Sequence, residues 1–107
     1  MTEDNKRVPP NTALRQARRQ LRSPTGSGQE MSRQELAQAV NDYLWHKHRY
    51  ESNIDRSYVG KLERGKHRWP GPMLREGFRA VLKVQTDAEI GFFIVRKPRT
   101  ADDDIPP

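Results

Sequence analysis

The chain has 107 residues, with 20 Lys or Arg against 14 Asp or Glu, and no cysteine. That length gives one domain whose core is too small for a large catalytic cleft; without thiols there is no disulfide framework or thiolate metal site, as suits a reducing cytoplasm. Residues 1–70 hold 14 basic and 8 acidic side chains while residues 71–107 hold 6 of each, so the net charge of +6 belongs to one part of the chain.

Residues 1–10 are polar, end in Pro9-Pro10 and read as a mobile arm. Asn11 is placed to cap a first helix whose apolar positions, Leu14, Ala17 and Leu21, follow helical spacing. The run Ser23-Pro24-Thr25-Gly26-Ser27-Gly28 breaks that helix and makes a flexible loop. Ser32 and Glu35 form a capping box that opens a second helix, with a stripe of Leu36, Val40, Tyr43 and Leu44 and an end near His46–His48. Trp45 falls on the side opposite Leu36. Either the helix stops near it, or Trp45 covers a patch made by the polar connector over residues 47–54.

The third helix, Asp55 to Arg64, is the most informative segment. Asp55 is a good N-cap and Gly65 a good residue to end on. Val59 and Leu62 take one side; Ser57, Gly60, Lys61 and Arg64 take the other, and Lys66 and Arg68 follow beside that polar face. Such a face suits a polyanion. Trp69-Pro70-Gly71-Pro72 is a rigid turn that leads into a fourth helix with Leu74, Phe78, Val81 and Leu82 inward. Thr86 and Glu89 make a second capping box, for a short fifth helix ending near Gly91. The apolar run Phe92, Phe93, Ile94 and Val95 either joins a second copy of the chain or caps its own core. From Lys97 the tail is rich in proline and aspartate and reads as disordered.

Other chemistries find little support. His46 and His48 face different directions on a helix and no carboxylate completes a metal set, so no metal or other cofactor is expected. Neither a nucleophile–base–orienter set nor a glycine-rich phosphate loop is present, so the chain is read as a non-enzyme. Tyr43, Trp69 and Phe78 sit on or beside apolar stripes and belong to a core. Arg15, Arg19 and Arg22 read as a solvated face. The longest apolar run, Ile90 to Val95, is too short to span a bilayer, and the polar N-terminus lacks a signal peptide; a cytoplasmic protein without membrane contact is expected.

Met31-Ser32-Arg33-Gln34-Glu35-Leu36-Ala37 and Tyr58-Val59-Gly60-Lys61-Leu62-Glu63-Arg64-Gly65, followed by a proline, together resemble the phage-repressor-like helix-turn-helix regulators, often called the xenobiotic-response-element type. Asn11 to Arg18, Arg68-Trp69-Pro70 and Thr86 to Phe92 are similar to an actinobacterial subgroup. The resemblance covers about residues 11–93. It implies an all-α, compact five-helix domain over residues 11–95, between an arm at 1–10 and an acidic tail at 96–107. It also implies a cytoplasmic, nucleoid-associated transcription regulator whose third helix lies in the major groove of double-stranded DNA. By the same resemblance Arg56, Ser57 and Lys61 approach base edges, and Arg33, Arg64, Lys66 and Arg68 contact phosphates. Arg18 and Glu63 match a partly buried ion pair of the scaffold. A homodimer through Phe92, Phe93, Ile94 and Val95 would supply the two-fold pairing that half-sites need.

One feature stands apart from the family pattern. About a dozen extra residues, near Asn41–Asn53, sit between the start of the second helix and the third, as a further backbone clamp or a solvated elaboration. Gly60 in mid-helix costs about 1 kcal/mol relative to Ala, offset by close approach either to DNA or to the second helix. The rival reading for the whole chain is an antitoxin or adaptor-type module of the same fold whose basic face meets an acidic protein partner.

Overall fold

The described residues form four α-helices and one 3₁₀ turn, with no strand among them: α1 (Thr12–Arg19), α2 (Arg33–His48), α3 (Arg56–Glu63), α4 (Pro72–Leu82) and the turn Ala88–Ile90. The computed structural model describes residues 9–24 and 28–94. Most of the expected arm, Val95 and the acidic tail lie outside the described residues.

Each helix begins where local chemistry satisfies its first amides. Asn11 Oδ1 accepts from Leu14 N–H at 3.0 Å, and Asp55 Oδ1 from Tyr58 N–H at 3.0 Å. The capping box on α2 is complete: Glu35 N–H donates to Ser32 Oγ at 3.1 Å and Ser32 N–H to Glu35 Oε1 at 2.9 Å. Ser23 Oγ donates to the other oxygen of Glu35 at 2.6 Å, tying the α1–α2 loop to the start of α2. These bonds, Ser23 first and then Ser32, hold the Glu35 carboxyl below its usual range. Pro72 opens α4, where a missing N–H costs nothing.

The second capping box also forms, with Thr86 N–H donating to Glu89 Oε2 at 2.8 Å. What it starts is a three-residue 3₁₀ turn and not a fifth α-helix. The reason is spacing: Gly91 adopts the left-handed region (φ 74°) directly after Ile90 and leaves no room for a further turn. Gly91 has little freedom to change. A methyl group there would lie 2.0 Å from Asn11 Oδ1.

The core runs between α2 and its neighbours, with Leu36, Val40 and Leu44 of α2 fully buried beside Val59 and Leu62 of α3 and Phe78 of α4. α2 packs most extensively on α4, then on α3. Gly77 permits the closest part of the α2–α4 seam, since a methyl there would lie 2.8 Å from Val40 Cγ1. Ile90 and Phe92 close one end of the core, the Phe92 ring meeting Phe78 edge-on at 5.7 Å. Asn11 joins three elements, because its N–H donates to the Glu63 carbonyl at 2.8 Å and its Nδ2 to the Ile90 carbonyl at 3.0 Å.

Two expectations about the connector are refined. α2 continues through Trp45 to His48, so much of the segment near Asn41–Asn53 is helical, and Arg49 ends it in the left-handed conformation (φ 53°). The remaining residues are held by Asn41, whose Nδ2 donates to the Ile54 carbonyl at 2.9 Å while its Oδ1 accepts from Ser52 Oγ at 2.7 Å and Ile54 N–H at 3.2 Å. No described helix is long and apolar enough to cross a membrane.

Candidate functional site

The outward side of α3 and the start of α2 enclose an open cleft of ≈ 880 Å³. Its walls are Arg18, Ser32, Arg33 and Gln34 on one side and Arg56, Ser57, Gly60, Lys61 and Arg64 on the other. Five of these nine residues are cationic and none is acidic. The helical period explains why α3 contributes as it does: Val59 and Leu62 are drawn into the core, which leaves Arg56, Ser57, Lys61 and Arg64 outward.

The carboxylate that organises the cleft lies beneath it. Glu63, with a side chain only 2% exposed, accepts from Arg18 Nε at 2.6 Å and Nη2 at 3.3 Å, and from Arg33 Nε at 3.0 Å. Arg18 also donates through Nη1 to the Met31 carbonyl at 2.8 Å. One buried carboxylate thus fixes α1, the start of α2 and the end of α3 together. Arg33 is bonded through Nε yet its side chain stays 44% exposed on the cleft wall.

Arg56, Lys61, Arg64 and Lys66 differ: among the described residues none has an acidic side chain within ion-pair distance. Arg56 is placed by its backbone, whose N–H donates to Gln34 Oε1 at 3.3 Å. Gln34 was not singled out from sequence, although its place beside Arg33 in the first turn of α2 was a usable signal. Gly60 is not explained by contact with α2. The nearest atoms to a methyl group there belong to the Arg64 guanidinium.

Arg68 does not belong to this surface. It is 7% exposed, donating through Nη1 to the Gly91 carbonyl at 3.2 Å and through Nη2 to the Pro9 carbonyl at 2.5 Å, with Phe93 stacked against it at 4.9 Å. The expected phosphate contact is therefore withdrawn: a guanidinium that satisfies two carbonyls inside the fold serves the scaffold. The apolar run after the turn divides as well. Phe92 is buried in its own core, whereas Phe93 and Ile94 are 50% and 55% exposed.

No family model, curated protein or solved structure matches this chain. The chemistry of its surfaces must carry the functional reading. Among the described residues no group of His, Asp and Glu is arranged to hold a metal ion. A second hollow, of ≈ 380 Å³, lies along the outer side of α2 beside the connector, where Asp42, Glu51 and amide side chains surround the exposed Trp45 and Arg49 covers its ring at 5.4 Å. Its charge is opposite to that of the first cleft.

A cluster outside both hollows was not anticipated from the sequence. Glu76 Oε2 accepts from Tyr43 Oη at 2.8 Å and lies 2.7 Å from His48 Nε2, joining the far end of α2 to α4. The His48 and Tyr43 hydrogen bonds hold the Glu76 carboxyl below its usual range; the same bond to Glu76 raises the Tyr43 hydroxyl.

Proposed function

We propose that this chain is a transcription regulator that binds double-stranded DNA sequence-specifically, with the outer face of α3 in the major groove and α2 crossing the backbone above it. The observation that carries the proposal is the concentration of Arg56, Lys61 and Arg64 on one face of a single helix, in a cleft with no acidic wall and no ion-pair partner for these cations among the described residues. Glu63 is taken up by Arg18 and Arg33 beneath the cleft.

Arg56, Ser57 and Lys61 are the proposed base-edge contacts, with Lys61 suited to guanine O6 and N7. Arg33 and Lys66 stand at the margins and supply phosphate contacts, which set register and much of the affinity. In this reading the repressor-like arrangement includes the 3₁₀ turn as its shortened fifth element. A second copy of the chain, paired through the exposed Phe93 and Ile94, would present two α3 helices to two half-sites.

Selection of binding sites from random duplexes tests the proposal directly. A defined motif is expected, with affinity falling steeply as salt rises. Lys61→Ala should change the selected bases, whereas Lys66→Ala should weaken all sequences alike and lower the salt slope by about one. Recovery of no duplex motif, with structured RNA or an acidic protein binding more tightly, overturns it.

A further inference from the structure

Gly60 is the oddity of α3. It lies in the middle of an eight-residue helix, on the side facing the cleft, yet it is buried. A residue without a side chain on an outward face can be buried only if something lies over it. That something is Arg64, one turn later: a methyl group on Gly60 would meet Nη1 at 3.0 Å, Cζ at 3.8 Å and Nη2 at 3.9 Å. All three atoms belong to the guanidinium, so its planar head, and not its stem, occupies the space above Gly60. This agrees with the general lean of helical side chains towards the N-terminus. It also means that Arg64 lies back along α3, bringing its head towards Ser57 and Lys61 and away from the helix end where a phosphate clamp would stand.

We infer that Gly60 is a notch that seats the Arg64 guanidinium in the middle of the reading face, making Arg64 a base-reading residue that recognises a guanine in duplex DNA. The inference rests on the duplex-DNA reading and moves Arg64 out of the phosphate-contacting set. Arg is suited to the task because its rigid fork offers two parallel N–H groups to guanine O6 and N7. Resting over Gly60 places that fork on the outward face of α3 before binding, which reduces the reorientation it must undergo in the complex. No acidic side chain among the described residues competes for it. The helix gives up the stability that Ala would bring at this position, and the seat for Arg64 is what it gains.

The test compares base preferences selected from random duplexes by the wild-type chain and by Gly60→Ala, Arg64→Lys and Arg64→Ala. Gly60→Ala should fold at least as stably as wild type, since Ala is the better helix former and the atom in its way is the end of a flexible side chain. It should nonetheless lose roughly ten-fold or more of its discrimination for guanine at one position, with unchanged salt slope and unchanged affinity for unrelated duplex. Arg64→Lys keeps the charge but not the fork, and should lose discrimination at that same position. The inference is overturned if both variants keep the wild-type preference while Arg64→Ala weakens every sequence equally, the behaviour of a phosphate contact. A wild-type chain that selects no duplex motif instead sinks the DNA reading, and this inference with it.

Discussion

Two mid-helix glycines separate the two working regions of this molecule. Gly77 sits in the seam between α2 and α4, where an added methyl would strike the packed side chains of Val40 and Leu44 at 2.8 and 3.3 Å. Gly60 sits over the cleft, where the same methyl would meet only the movable head of Arg64. The seam is closed in every sense: its apolar atoms interlock, and the polar groups at its far end, Tyr43, His48 and Glu76, bond to one another. Across the cleft, the scaffold is satisfied through Glu63 while the outward cations of α3 are left without acidic partners. Identical residues with identical helix propensity therefore do opposite jobs, one serving packing and the other presentation.

The strongest way to break this contrast is at the carboxylate beneath the cleft. Arg18→Ala leaves the buried Glu63 with Arg33 as its remaining cation and should cost about 3 kcal/mol, lowering Tm by more than ten degrees. Arg33→Ala, on the exposed side of the same carboxylate, should cost less than about 1 kcal/mol. Equal losses in thermal unfolding would mean that the network is not organised around its buried arm.

Gly77→Ala comes next. Overpacking a tight seam should cost about 2 kcal/mol, while Gly60→Ala stabilises or leaves stability unchanged. Opposite signs from one substitution at two helical glycines are the sharpest form of the comparison. Matching signs in urea unfolding would erase it.

Asn41→Ala should have a smaller effect, about 1 kcal/mol, because the connector it holds is partly solvated. Its interest lies in geometry: Asn41 fixes Ile54, the residue before the N-cap of α3. Amide exchange should rise over residues 50–55 and leave α4 untouched; an unchanged connector would show that it holds itself.

Much of this was legible in the sequence because the signals are local. Asn11, Ser32 with Glu35, Asp55 and Pro72 each start a helix through contacts within one turn, and the period of 3.6 assigns Val59 and Leu62 inward and Lys61 outward. What escaped depends on residues distant in the chain. Lys66 and Arg68 look alike in sequence; only the Pro9 and Gly91 carbonyls, 59 and 23 residues away, separate a surface cation from a buried one. Phe92 and Phe93 differ in the same way, since one meets Phe78 and the other does not. For Gly60 the two partners considered, DNA and the second helix, left out the side chain one turn away.

The mildest test concerns the far end of the seam. Glu76 is held below its ordinary value of 4.5 by the His48 and Tyr43 hydrogen bonds, so its ionised form is favoured more in the folded chain than in the unfolded one. A depressed carboxyl of this kind adds stability that is complete above about pH 4.5 and is lost as pH falls through the lower folded value. Replacing it by glutamine keeps the shape and removes the titration. Wild type should exceed Glu76→Gln by a few tenths of a kcal/mol up to about 1 at pH 6, since the group is partly solvated, and the gap should close towards pH 3. A gap that persists unchanged at pH 3 would mean that the cluster acts through packing alone. The outward cations of α3 have no acidic partner among the described residues, so protonating Glu76 removes no ion pair from that face.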